Sequence, residues 1–134
     1  MRKIKFRAWN KEKNIMVYGH EDGSDDYWDG VCSSNVEIIN DIFSSDIENE
    51  THEFMQYTGV KDKNGIEIYE GDIIKIQSMV HDNYPVYVGK VVFENGAYMC
   101  NSKWNTHWIG DMFLSKEILG NIYENPELLE GNRL

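Results

Sequence analysis

Lysine and arginine are absent between Glu21 and Glu53, a stretch that holds eleven acidic residues. Such a density repels a phosphate backbone and suits solubility or a basic partner. The 134-residue chain carries a net charge of -10, yet six of its thirteen basic residues fall within residues 1 to 13. The strip Lys3, Lys5 and Arg7 is too short for strong phosphate binding through counterion release. Direct nucleic-acid binding is therefore not expected. Cysteine is also scarce. Cys32 and Cys100 stand far apart and match no metal or redox spacing, so they read as free thiols in a reducing compartment, with a disulfide between them left open. No apolar run approaches the roughly 18 to 20 residues of a membrane helix, and Met-Arg-Lys-Ile-Lys-Phe-Arg lacks the apolar core of a signal peptide. A soluble cytoplasmic protein without membrane contact is expected.

Catalytic and metal-binding patterns are missing too. His20, His52, His81 and His107 are isolated from one another, and there is no His-Glu-x-x-His, Cys-x-x-Cys or Gly-x-Ser-x-Gly. Structural or solvent-facing roles for these histidines outweigh catalysis. The enzyme-class alternative is a hydrolase assembled by the fold from His107, Asp111 and His81. Asp22-x-Ser-x-Asp26 resembles the start of a calcium loop, but Tyr27 stands where glycine is required and Ser33 where a bidentate glutamate is required. The series Gly59, Gly65 and Gly71 includes no Gly-x-Gly-x-x-Gly and no Walker lysine, and it lies between strands, whereas a phosphate loop opens a helix. No cofactor, no metal and no enzymatic activity are expected.

What is present is β-pattern and turn chemistry. Lys3 to Trp9 alternates with period two, placing Ile4, Phe6 and Ala8 on one face of a half-buried strand, and Ile15-Met-Val-Tyr18 completes a hairpin. Ser34 and Glu37 form a capping box ahead of a short helix over 35 to 43, a segment whose isoleucines would also suit a strand. In Gln56 to Asp72, a two-residue Asn64-Gly65 turn would oppose Asp62 to Glu67, two like charges. A three-residue loop Lys63-Asn64-Gly65, with Gly65 left-handed, opposes Lys61 to Glu67 and Val60 to Ile68 instead. Ile74 and Ile76 share a face of the following strand. Asn95-Gly96 suits a type I′ turn that pairs Phe93 with Tyr98, and Gly89 marks a bend. Glu117 to Tyr123 reads as a last strand. Asn125 as N-cap, Pro126 at the first position and Gly131 beyond the end predict one helical turn, with Leu128 and Leu129 docked on the body.

The whole therefore predicts a mainly β single domain over 1–134, α+β only at its margins. It divides into an N-terminal hairpin (1–20), an acidic variable segment (21–50) and a small bent barrel (51–134). In Trp104-Asn-Thr-His-Trp108, strand geometry puts Trp104, Thr106 and Trp108 on one face and His107 on the other. Burial of the tryptophans in the core or at a subunit contact is the preferred reading. The functional alternative makes Trp104, His107 and Trp108 an interaction surface.

Several strings resemble the YopX-like proteins of bacteriophages and prophages. They are the N-terminal Met1 to Asn10 with Asn14-Ile-Met16, "MQYTGVKDKNGIEIYEGDII" at 55–74, "GKVVFENG" at 89–96 and "ILGNIYENPEL" at 118–128. The resemblance implies an SH3-like barrel and a phage or prophage origin, and carries no activity or site residue with it. The leading expectation is a non-enzymatic accessory protein in the bacterial cytoplasm that contacts a host or phage protein, with self-association left open. A second expectation is that the acidic segment imitates nucleic acid and occupies a DNA-handling host protein.

Overall fold

The computed structural model describes residues 5–18, 52–81 and 83–130. Both the acidic segment over 21–50 and the helix expected over 35–43 lie outside the described residues. The chain is mainly β, with nine strands and one 3-10 turn among those residues, and it divides into two compact units, 1–57 and 58–134.

In the first unit, β1 (Phe6–Asn10) lies between β2 (Ile15–Tyr18) and the start of β3 (His52–Lys61), both antiparallel to it. The hairpin turn closes because the Asn10 side-chain oxygen accepts the Glu12 and Lys13 amides and Asn14 takes a positive φ of 56°. Ala8 and Val17 are fully buried, with Phe6 and Phe54 packed against Val17. The half-buried strand expected from alternation is not what forms. Arg7 and Trp9, on the opposite face from Ala8, are buried as well. The Arg7 guanidinium lies 5.9 Å from the Tyr18 ring centre, with its Nη1 3.5 Å from the Tyr18 hydroxyl.

In the second unit, the end of β3 turns into β4 (Glu67–Tyr69) through the three-residue loop Lys63-Asn64-Gly65. The Gly65 amide donates to Asp62 O and the Asp62 amide to Ile66 O, with Gly65 at φ 82°, the geometry expected from charge pairing. Five further strands follow: β5 (Asp72–Ser78), β6 (Tyr87–Glu94), β7 (Ala97–Ser102), β8 (Thr106–Trp108) and β9 (Leu114–Asn121). They form one antiparallel sheet in the order β8-β7-β6-β5-β9. Asn95 and Gly96 both take positive φ, 52° and 83°, as a type I′ turn requires, and Phe93 pairs with Tyr98 with ring centres 4.9 Å apart. The core joins Ile68, Ile74, Ile76, Val91, Cys100 and Ile109, with Val60, Tyr87, Tyr98, Leu114 and Ile118 against it.

The 3-10 turn Pro126–Leu129 has Pro126 at its start, as expected, and Leu128 and Leu129 are half-buried. Asn125 stands at the N-cap position without capping. Its side-chain oxygen instead accepts the Asn121 amide, while the Asn121 oxygen accepts the Tyr123 and Glu124 amides. These paired asparagines fold the chain back after β9. Gly131 lies outside the described residues.

Candidate functional site

The segment from Ser102 to Trp108 is not one continuous strand. Ser102 reverses the chain at once: its Oγ accepts the Trp104 and Asn105 amides and donates to Asn105 O, and its own amide donates to the same oxygen. Trp104 thus sits in the bend, off the strand, and does not share a β face with Trp108. Only Thr106 to Trp108 pair with β7. Burial of the tryptophans in the core is overturned: Trp104 is 57% and Trp108 56% exposed. A four-residue reversal uses up the positions that a longer strand would need to bury the first indole.

Within β8 the expected alternation holds. Thr106 and Trp108 are exposed, and His107 turns the other way into partial burial. Its ring lies 4.9 Å from that of Tyr87, its Nε2 is 3.4 Å from the Tyr84 hydroxyl, and Asn105 Nδ2 donates to the Tyr87 hydroxyl at 2.9 Å. Tyr84 meets both Tyr87 and His107 edge-on. Burial lowers the His107 pKa below the ordinary histidine value, against the opposing pull of Asp111. The neutral imidazole is therefore favoured as part of an aromatic cluster. The Trp108 indole lies back over Gly110, where a Cβ would stand 2.5 Å from the ring. Lys103 Nζ lies 5.5 Å from the Trp104 ring centre.

Two further loops, joined to each other, also expose apolar side chains. The Met79 amide donates to Phe113 O, tying the turn after β5 to the turn before β9. Ser78 Oγ accepts the Val80 and His81 amides, and Asp111 Oδ1 accepts the Phe113 amide. Met79, Val80, Met112 and Phe113 are all exposed. Chemically this is a surface for apolar and stacking contact. Among the described residues no hydrogen bond joins His107, Asp111 and His81, the three groups of the hydrolase alternative, and Asp111 acts on His107 through charge alone.

Elsewhere, Cys100 is a fully buried free thiol whose pKa burial pushes up to about 12, which makes it a core residue and a poor nucleophile. Cys32 lies outside the described residues. Among the described residues, no three His, Cys, Asp or Glu side chains group as metal ligands, and no helix is long and apolar enough to cross a membrane. Sequence reasoning missed Tyr84 and Tyr87, which join His107 only through the fold. It also missed Asp62, whose signal, an aspartate two residues before Asn-Gly, was present in a turn already recognised.

The family model described as YopX protein matches residues 5–130. Protein EF1440 from Enterococcus faecalis has a similar crystal structure, with TM-score 0.56 and 23% identity over 97% of this chain and 100% of that one. The crystal structure of protein yopX from Bacillus subtilis is similar as well, with TM-score 0.56 and 20% identity over 99% of this chain and 100% of that one. At these identities the two neighbours establish a shared fold. No curated protein matches the chain.

Proposed function

Because this chain belongs to the YopX family, we propose that it is a phage or prophage accessory protein acting in the bacterial cytoplasm as a non-enzymatic protein-interaction module, with its second unit an SH3-like small barrel. The observation that carries the reading is the exposure of Trp104 and Trp108 on either side of His107. Solvent-exposed indoles held by a tight turn and a short strand have the residue type and rigidity of binding hot spots. His107, Tyr84 and Tyr87 support β8 from behind, and the apolar residues of the two joined loops add to the apolar area that the unit exposes. The acidic balance favours a protein partner over a nucleic acid.

The test is a Trp104→Ala/Trp108→Ala double variant, compared with wild type in affinity capture from phage-infected or lysogenic cells and in thermal unfolding. Exposed side chains contribute within about 0.5 kcal/mol to folding, so the variant keeps its Tm. Its specifically captured protein is lost. Identical capture by both chains would remove this surface from the function.

A further inference from the structure

The last strand of a sheet presents unpaired N–H and C=O groups, to which another chain can add. The five-stranded sheet ends on β9, and two of its outward groups are occupied. Lys116 O accepts the Lys63 amide at 2.8 Å, and the Ile118 amide donates to Asp62 Oδ2 at 3.1 Å. Both partners sit at the tip of the β3–β4 hairpin.

Asp62 is only 6% exposed, and its two oxygens divide the work. Oδ1 accepts the Asn64 and Ile66 amides at 2.9 and 3.0 Å, fixing the shape of the tip. Oδ2 reaches across to β9. Glu117 reinforces the contact through Lys63 Nζ at 3.4 Å, and shares Oε1 with Lys75 Nζ at 3.1 Å.

We propose that the β3–β4 hairpin tip is an edge guard, which prevents β9 from pairing with β9 of a second copy. With the tip displaced, Lys116 O and the Ile118 N–H become a template for an antiparallel strand. A two-fold pair centred on Ile118 brings an apolar residue against its own copy. The guard is thus a latent interface between two copies of this chain, covered by the chain's own turn.

Two variants separate the guard from the fold. Asp62→Asn retains one oxygen for the tip amides but turns an NH2 toward the Ile118 N–H. Lys63→Pro removes the donor to Lys116 O at a turn position that proline suits. Amide exchange at Ile118 is measured at a concentration low enough that every chain is monomeric, and molar mass by light scattering over a rising concentration series, for each variant and for wild type. Loss of one such hydrogen bond speeds Ile118 exchange by about tenfold. Molar mass then rises with concentration toward that of a dimer, beyond wild type. Faster exchange with wild-type mass in both variants would overturn the proposal, as would unchanged exchange in both. If Asp62→Asn does not fold, Lys63→Pro decides alone by the same two measurements.

Discussion

His107 carries the clearest titratable signature of the candidate surface. Its imidazole packs on Tyr87 and faces the Tyr84 hydroxyl, and burial holds its pKa below the ordinary histidine value near 6.5, with Asp111 acting in the opposite sense. The unfolded chain, where the ring is free, therefore binds a proton at higher pH than the folded one. The stability that His107 contributes is full above the unfolded value and is lost as pH falls through the lowered folded value. Thermal unfolding between neutral pH and the carboxylate range should show the wild type losing Tm more steeply than His107→Gln; parallel curves would contradict the argument. The sequence singled out Trp104, His107 and Trp108 as a group; the two tryptophans are exposed, and His107 is half-buried behind them. The sequence could not supply Tyr84 and Tyr87, because the pairing of β6 with β7, and of β7 with β8, is what brings them to the histidine.

The hairpins were legible as elements because each is written in neighbouring residues. Charge pairing at Lys61 and Glu67 excluded the shorter loop, and the aromatic pair Phe93–Tyr98 fixed the Asn95-Gly96 turn. Gly89 was legible only as a special position. A Cβ there would stand 2.6 Å from Asn101 O and 2.7 Å from Ser102 N, so the residue is glycine because β7 backbone passes directly over it. Gly65 is the opposite case, with φ 82° and nothing within 4 Å of its absent Cβ. Alanine at Gly65 meets only left-handed strain, about 1 to 2 kcal/mol. Alanine at Gly89 must push one strand off another, at the upper end of about 1 to 3 kcal/mol or beyond. Urea unfolding should therefore rank Gly89→Ala as the more damaging of the two. The reverse ranking would mean that β6 and β7 can separate more easily than their register suggests.

At the scale of the molecule, the strand order was the least legible feature, since β5 is flanked by β9, whose residues lie far along the chain. Alternation identifies a strand and its buried face but not its distant neighbour. The turn role of Asp62 could be read locally, but its reach to Ile118, 56 residues away, was opaque for the same reason. β9 covers β5 along Asp72 to Ser78, places Leu114 and Ile118 against the core, and receives the hairpin tip at Lys116 and Ile118. A buried aliphatic side chain is worth about 1.5 to 3 kcal/mol. The whole stability of such a domain is about 5 to 15 kcal/mol. Ending the chain after Phe113 removes two core side chains, uncovers Ile74 and Ile76, and strands the Asp62 carboxylate, a combination large enough to exhaust that margin. Ending it after Asn125 removes the 3-10 turn, whose leucines are half-buried, together with the residues that follow it. Circular dichroism on heating should find no cooperative transition for 58–113 in the shorter chain and a cooperative one at reduced Tm in the longer. A sharp transition of that segment without β9 would show that β5, β6 and β7 hold the core by themselves, and the edge at β9 would then be an accessory to the fold.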